Sequence, residues 1–201
     1  MQANDVLNAA REEGHKIFEN YSKDYNLNII GVRDPTPELD DFGCRLWAIW
    51  NTRAGWQSRD WQITTLPGSY YLQKRLLNWE GCAILAPGQY RGAYKIRLHR
   101  GLYKAVCQDR PVRVYRDGDR DDEFDLDPAK LRSGNYGINI HQPGTANAWR
   151  VYTNSAGCQV FKRQADFREF MWLAGRGAAL WGNRFTYTLL DGAHARDLRV
   201  A

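Results

Sequence analysis

Tyr94, Ile96 and Leu98 alternate with Lys95, Arg97 and His99, so one face of this segment is apolar and the other basic. A period of two is the repeat of a half-buried β-strand, and it argues against a helix over the same residues. The alternation returns where Val112 and Val114 interleave with Arg113 and Tyr115, and again where Ile138 and Ile140 interleave with Asn139 and His141. Gly88, Gly92, Gly101, Pro111 and Gly118 punctuate these runs at turn-like intervals. Two more strands are expected at Gln159 to Phe161 and at Phe185 to Leu190. The chain is thus expected to be mainly β, with mostly antiparallel strands.

Helical spacing occurs in two places. Val6, Leu7, Ala10, Ile17 and Phe18 form an imperfect stripe over Asn4 to Tyr21, and Phe167, Phe170, Met171 and Ala174 form another that runs up to Gly175. Trp47, Trp50, Trp56 and Trp61 cluster in a stretch broken by Pro and Gly, and aromatic residues at that density usually build a core. No repeat and no linker divides the chain, so residues 1–26 read as an N-terminal helix and residues 27–201 as a single domain. With 201 residues, 43% of them hydrophobic, the chain can bury a core without disulfide staples or a structural metal.

Lys and Arg number 28 against 23 Asp and Glu, a net charge of +5 that suits any polyanionic partner: nucleic acid, anionic lipid or an anionic wall polymer. No nucleic-acid motif accompanies it, so no specific nucleic acid is expected. Residues Met1 to Asn20 mix charged and apolar side chains and do not read as a secretory signal, and no apolar run is long enough for a transmembrane segment. The expectation is a chain made in the cytoplasm.

Cys44, Cys82, Cys107 and Cys158 include no close pair of the kind zinc sites use, so neither a metal nor a cofactor is expected. The first three read as buried apolar thiols. Asp117 to Asp125 places acids at alternate positions, as a calcium loop begins, yet Asp122 and Pro128 stand where an EF-hand needs Gly and Glu. A solvated acidic hairpin is the reading.

A nucleophilic cysteine needs a base for its proton, and His141 at the end of a strand is the best placed of the four histidines. It lies 17 positions before Cys158, across a loop rich in Gly, Asn and Thr. His141, the loop from Gln142 to Asn154, and Ser155-Ala156-Gly157-Cys158 together resemble the catalytic domain of L,D-transpeptidases, cysteine enzymes that cross-link or trim peptidoglycan stem peptides. Thr65-Leu66-Pro67-Gly68 is similar to a turn that precedes that core. The resemblance implies a β-sandwich with the N-terminal helix and one helix after the cysteine. It implies Cys158 as nucleophile, His141 as base oriented by the Gln142 carbonyl, and Gly157 with Cys158 as backbone oxyanion donors. Asn139, Gln142, Ser155 and His99 are the substrate-binding candidates, with Tyr90 and Trp149 as cleft walls.

Ala156 and Gln159 replace a His and a basic residue of the family pattern, which favours hydrolysis, by an L,D-carboxypeptidase or endopeptidase, over cross-linking. Peptidoglycan stem peptides are then the partner, and the missing signal points to delivery by a phage lysis system, a phage tail or an injection apparatus. Two other readings stay open. A papain-like order would pair Cys158 with His194, and a non-catalytic structural or binding component of a phage or injection particle would keep the fold without turnover.

Overall fold

A computed structural model describes residues 1–192. In chain order the elements are α1 (Ala3–Glu12), β1 (Asn28–Val32), β2 (Cys44–Thr52), β3 (Gly55–Thr64), β4 (Cys82–Leu85), β5 (Gly88–His99), β6 (Tyr103–Gln108), β7 (Val112–Asp117), β8 (Arg132–Gly134), β9 (Ile140–His141), β10 (Gln159–Phe161), α2 (Gln164–Trp181) and β11 (Phe185–Leu190). The fold is mainly β, with one helix at the start and a second after Cys158.

Eight strands form one sheet that closes on itself in the order β1-β11-β5-β6-β9-β10-β3-β2, and β4-β7-β8 form a second, three-stranded sheet. The larger sheet is therefore a barrel and not one leaf of an open sandwich. Closure comes from β1, which pairs antiparallel with β2 on one side and parallel with β11 on the other. Every strand of the ring then has two neighbours, so the sheet has no edge left to template pairing with another chain. The second parallel contact, β9 with β10, sets Gln159 beside Ile140 and Val160 beside His141.

Burial follows period two in part of the sheet, while β1, β4, β9, β10 and β11 are buried at every position. Val112 and Val114 are buried while Arg113 is exposed, and Ile138 and Ile140 are buried at 2% and 0% exposure. The end of β5 breaks the pattern: Leu98 is 57% exposed and His99 only 6%. The stretch expected to present a solvated basic face thus turns its histidine inward.

Trp47, Trp50 and Trp61 are buried, the last with its ring against Phe161 and Phe170. The N-terminal helix is shorter than its sequence stripe. It stops where Gly14 takes φ 74° and the His15 N–H closes back on the Ala10 carbonyl. Val6, Leu7, Ala9 and Ala10 pack with Ile30, Val32, Trp47 and Ile49, so α1 docks on the β1–β2 surface. α2 continues past Gly175 to Trp181, and at Gly177 a Cβ would sit 3.0 Å from the Tyr25 carbonyl, so glycine lets that loop cross the helix closely. Among the described residues no helix is long and apolar enough to cross a membrane. His194 lies outside the described residues.

Candidate active site

The pairing of β9 with β10 places the two residues of interest. His141 is level with Val160, and Cys158 immediately precedes β10, with its sulfur against the backbone of Gly137 and Asn139 just before β9. Cys158 and His141 line one cleft of about 390 Å³, together with His99, Tyr103 and Gln142. A second cleft, of about 320 Å³, reaches Cys158 from the other side past Cys82, Ala83, Arg116 and Tyr136. Arg100, Ala156 and Cys158 are common to both.

The segment before Cys158 is held by its own polar groups. Ser155 is 1% exposed, its Oγ accepts from the Gly157 N–H at 3.0 Å, and it donates to the Cys158 carbonyl at 2.9 Å. The Ser155 carbonyl accepts from the Gly68 N–H at 2.9 Å, so the Thr65-Leu-Pro-Gly68 turn buttresses the cysteine loop. Gly157 has φ 120°, and a Cβ there would fall 1.9 Å from the Ala83 carbonyl oxygen. No other residue fits that combination of dihedral and space.

His141 is 7% exposed, and its Nδ1 lies 2.7 Å from the Gln142 carbonyl. A carbonyl can only accept, so Nδ1 carries the proton and Nε2 keeps its lone pair. His99 stacks on His141 with ring centroids 4.4 Å apart and planes 24° from parallel. Asn139 fixes His99 in turn: its Oδ1 accepts from the Gln108 N–H at 2.9 Å, which directs its amide toward His99 Nδ1 at 3.1 Å.

At rest the pair is neutral. Burial, reinforced by His99 and opposed by the Gln142 carbonyl, lowers the His141 pKa to about 4. Burial raises the Cys158 thiol to about 11, against the Asn139 N–H and the Arg100 charge, which draw it down. The sulfur donates to the Gly137 carbonyl at 3.3 Å and accepts from the Asn139 N–H at 3.5 Å, so its proton points to Gly137 and not to His141. Reaching Nε2 requires the thiol to leave that bond.

The geometry gives the partners of several site candidates. The Ser155 hydroxyl and carbonyl are both engaged inside the loop. The Gly157 N–H is held by the Ser155 hydroxyl. Asn139 has both ends of its amide occupied, by the Gln108 N–H and by His99. Gln142 and His99 do line the cleft. Tyr90 lines neither cleft and bonds the Ala86 carbonyl, and Trp149 is 96% exposed outside both. Cys44, Cys82 and Cys107 are buried free thiols.

Arg100, Tyr103 and Arg116 are cleft residues that sequence reasoning passed over. The Arg-Gly pair just after a strand marks a turn, but nothing in the sequence says that this turn reaches Cys158. For a metal, the carboxylates of Asp117, Asp119 and Asp125 bring oxygens within 4.8 Å of one another, and none of the three lines either cleft. Comparison of the chain with family models, with curated proteins and with solved structures gives no match.

Proposed function

We propose that the chain is a cysteine acyl-transfer enzyme of the L,D-transpeptidase type that trims peptidoglycan stem peptides, with water as the acceptor. One observation carries the reading: Cys158 and His141 line one cleft, and the Gln142 carbonyl fixes the imidazole with Nε2 available as a base.

The residues suggest the following chemistry. As the sulfur attacks the carbonyl carbon at the L-centre of the diaminopimelate residue, the thiol proton passes to His141 Nε2. Both groups are neutral at pH 7, so transfer and attack proceed together and no thiolate waits for substrate. In this reading the Cys158 N–H supplies a backbone donor for the developing oxyanion. Collapse breaks the bond to D-Ala, whose amine takes the proton from the imidazolium, leaving a thioester on Cys158. His141 then removes a proton from water, the hydroxide attacks the thioester, and the shortened stem departs as the sulfur recovers its proton. Ala156 at the junction of the two clefts supplies no polar group to hold an amine acceptor, which supports water in that role. Delivery to the wall by a phage lysis, tail or injection apparatus belongs to the same proposal.

The Cys158–Gly137 hydrogen bond favours a second reading, in which the thiol is a structural group of a non-catalytic particle component. Tetrapeptide muropeptides incubated with the protein and separated by mass decide between them. Release of D-Ala and tripeptide stems by wild type, and not by Cys158→Ala, supports the hydrolase. Cross-linked dimers as the dominant product would replace it with a transpeptidase, and unchanged substrate would favour the particle component.

A further inference from the structure

β5 and β6 are joined by Arg100, Gly101 and Leu102, with the Leu102 N–H closing on the His99 carbonyl at 2.9 Å. Arg100 and Gly101 both take positive φ, 50° and 75°. Glycine does this freely, whereas the left-handed region presses an arginine Cβ toward a carbonyl oxygen, and Asn is the ordinary residue before Gly in such turns. The strained residue is also exposed, and it makes no hydrogen bond or ion pair among the described residues.

Its position gives the strain a use. Arg100 lines both clefts where they meet at Cys158, and no carboxylate lines either one. The other cation of the second cleft, Arg116, is compensated: it pairs with Glu80 at 3.4 Å, donates to the Gly81 carbonyl at 3.0 Å and lies over the Tyr136 ring at 4.8 Å. Among the described residues Arg100 is the cleft guanidinium without an ion-pair or hydrogen-bond partner, and such a fork matches a carboxylate.

We propose that Arg100 is a specificity-determining residue that binds a free carboxylate next to the scissile carbonyl, so that the enzyme accepts stems ending in an unblocked residue and acts as a carboxypeptidase. The substrate half of this statement rests on the acyl-transfer reading above; the anion subsite does not. The group bound is the terminal carboxylate of the departing residue, one peptide unit from the carbon under attack.

Alkylation of Cys158 tests the subsite without turnover. Iodoacetate carries a carboxylate and iodoacetamide does not, while any change in thiolate fraction affects both alike, so the ratio of their rates isolates Arg100. Peptide mapping confines the measurement to Cys158. The ratio should fall about tenfold in Arg100→Asn and in wild type at high salt, and Arg100→Lys should keep most of it. Arg100→Asn should melt at the same or a higher temperature, since Asn tolerates positive φ; Arg100→Gly is the second variant and should give the same ratio. An unchanged ratio in both variants would overturn the proposal, as would equal turnover of free and amidated tetrapeptides by an active wild type. A lowered ratio in a protein that turns over no muropeptide would retain the anion subsite and remove the acyl-transfer reading.

Discussion

The imidazoles of His99 and His141 lie face to face, 4.4 Å between centroids, on two strands that meet only through β6. Burial, reinforced by the neighbouring His99, keeps His141 neutral, with its pKa lowered to about 4. Because the folded protein resists a proton that the unfolded chain binds near 6.5, the contribution is fully present above pH 6.5 and is lost as pH falls toward 4. Chemical denaturation between pH 7 and pH 4 should show a loss on the order of 3 kcal/mol from this group, which His141→Gln should remove. His99→Ala exposes the ring to water and should raise the His141 pKa, moving its NMR titration midpoint toward 6.5. A midpoint already near 6.5 in wild type would contradict the stacked, desolvated pair.

Cys158 is a thiol at neutral pH, with its pKa raised to about 11. Its alkylation by iodoacetamide should therefore climb about tenfold per pH unit from pH 7 upward, because the thiolate is the reacting species. A rate that levels off near pH 7 would mean a preformed thiolate–imidazolium pair in place of concerted proton transfer and attack.

Gly157→Ala should destabilise the protein by at least about 2 kcal/mol, since it combines a positive φ with a clash against a backbone oxygen. Ser155→Ala removes the partners of the Gly157 N–H and the Cys158 carbonyl and should cost about 1–3 kcal/mol. Urea melts measure both. If Ser155→Ala raises KM with stability unchanged, Ser155 touches substrate after all.

Part of the fold is legible locally: the strands at 112–117, 159–161 and 185–190 lie where the residues mark them, the first by its alternation, and α2 covers the 167–175 stripe and extends past it at both ends. Closure into a barrel is not, because the β1–β11 pairing joins segments more than 150 residues apart and leaves no local trace. The nucleophile and base candidates are readable because they sit in one motif. His99 is a cleft candidate from its strand, but its alternation puts it on the basic face beside Lys95 and Arg97, and its burial and its stacking on His141 are not legible there. Ser155 and Asn139 illustrate the converse: polar residues beside a motif look like substrate contacts until their partners, Gly157, Cys158, Gln108 and His99, are known.

Asp117 is 1% exposed and burial raises its carboxyl to about 6, although the Asp125 N–H bonds it. A carboxyl raised in the folded state contributes fully below pH 3.8 and loses that contribution as pH rises through 6. Asp117→Asn should accordingly raise stability by roughly 1–3 kcal/mol at about pH 7.5 and leave it nearly unchanged at about pH 4. Thermal melts at the two pH values check this, and a destabilised variant at the higher pH would show that the charge is compensated.

If Cys158 becomes acylated with His141 as its base, intact-mass spectrometry after incubation with a carbapenem-type acylating β-lactam shows it most directly. Wild type should gain one adduct, mapped to Cys158, absent from Cys158→Ala and formed at least about a hundredfold more slowly by His141→Gln. A wild-type protein that gains no mass, or an adduct that persists when Cys158 is replaced, would contradict the acyl-enzyme.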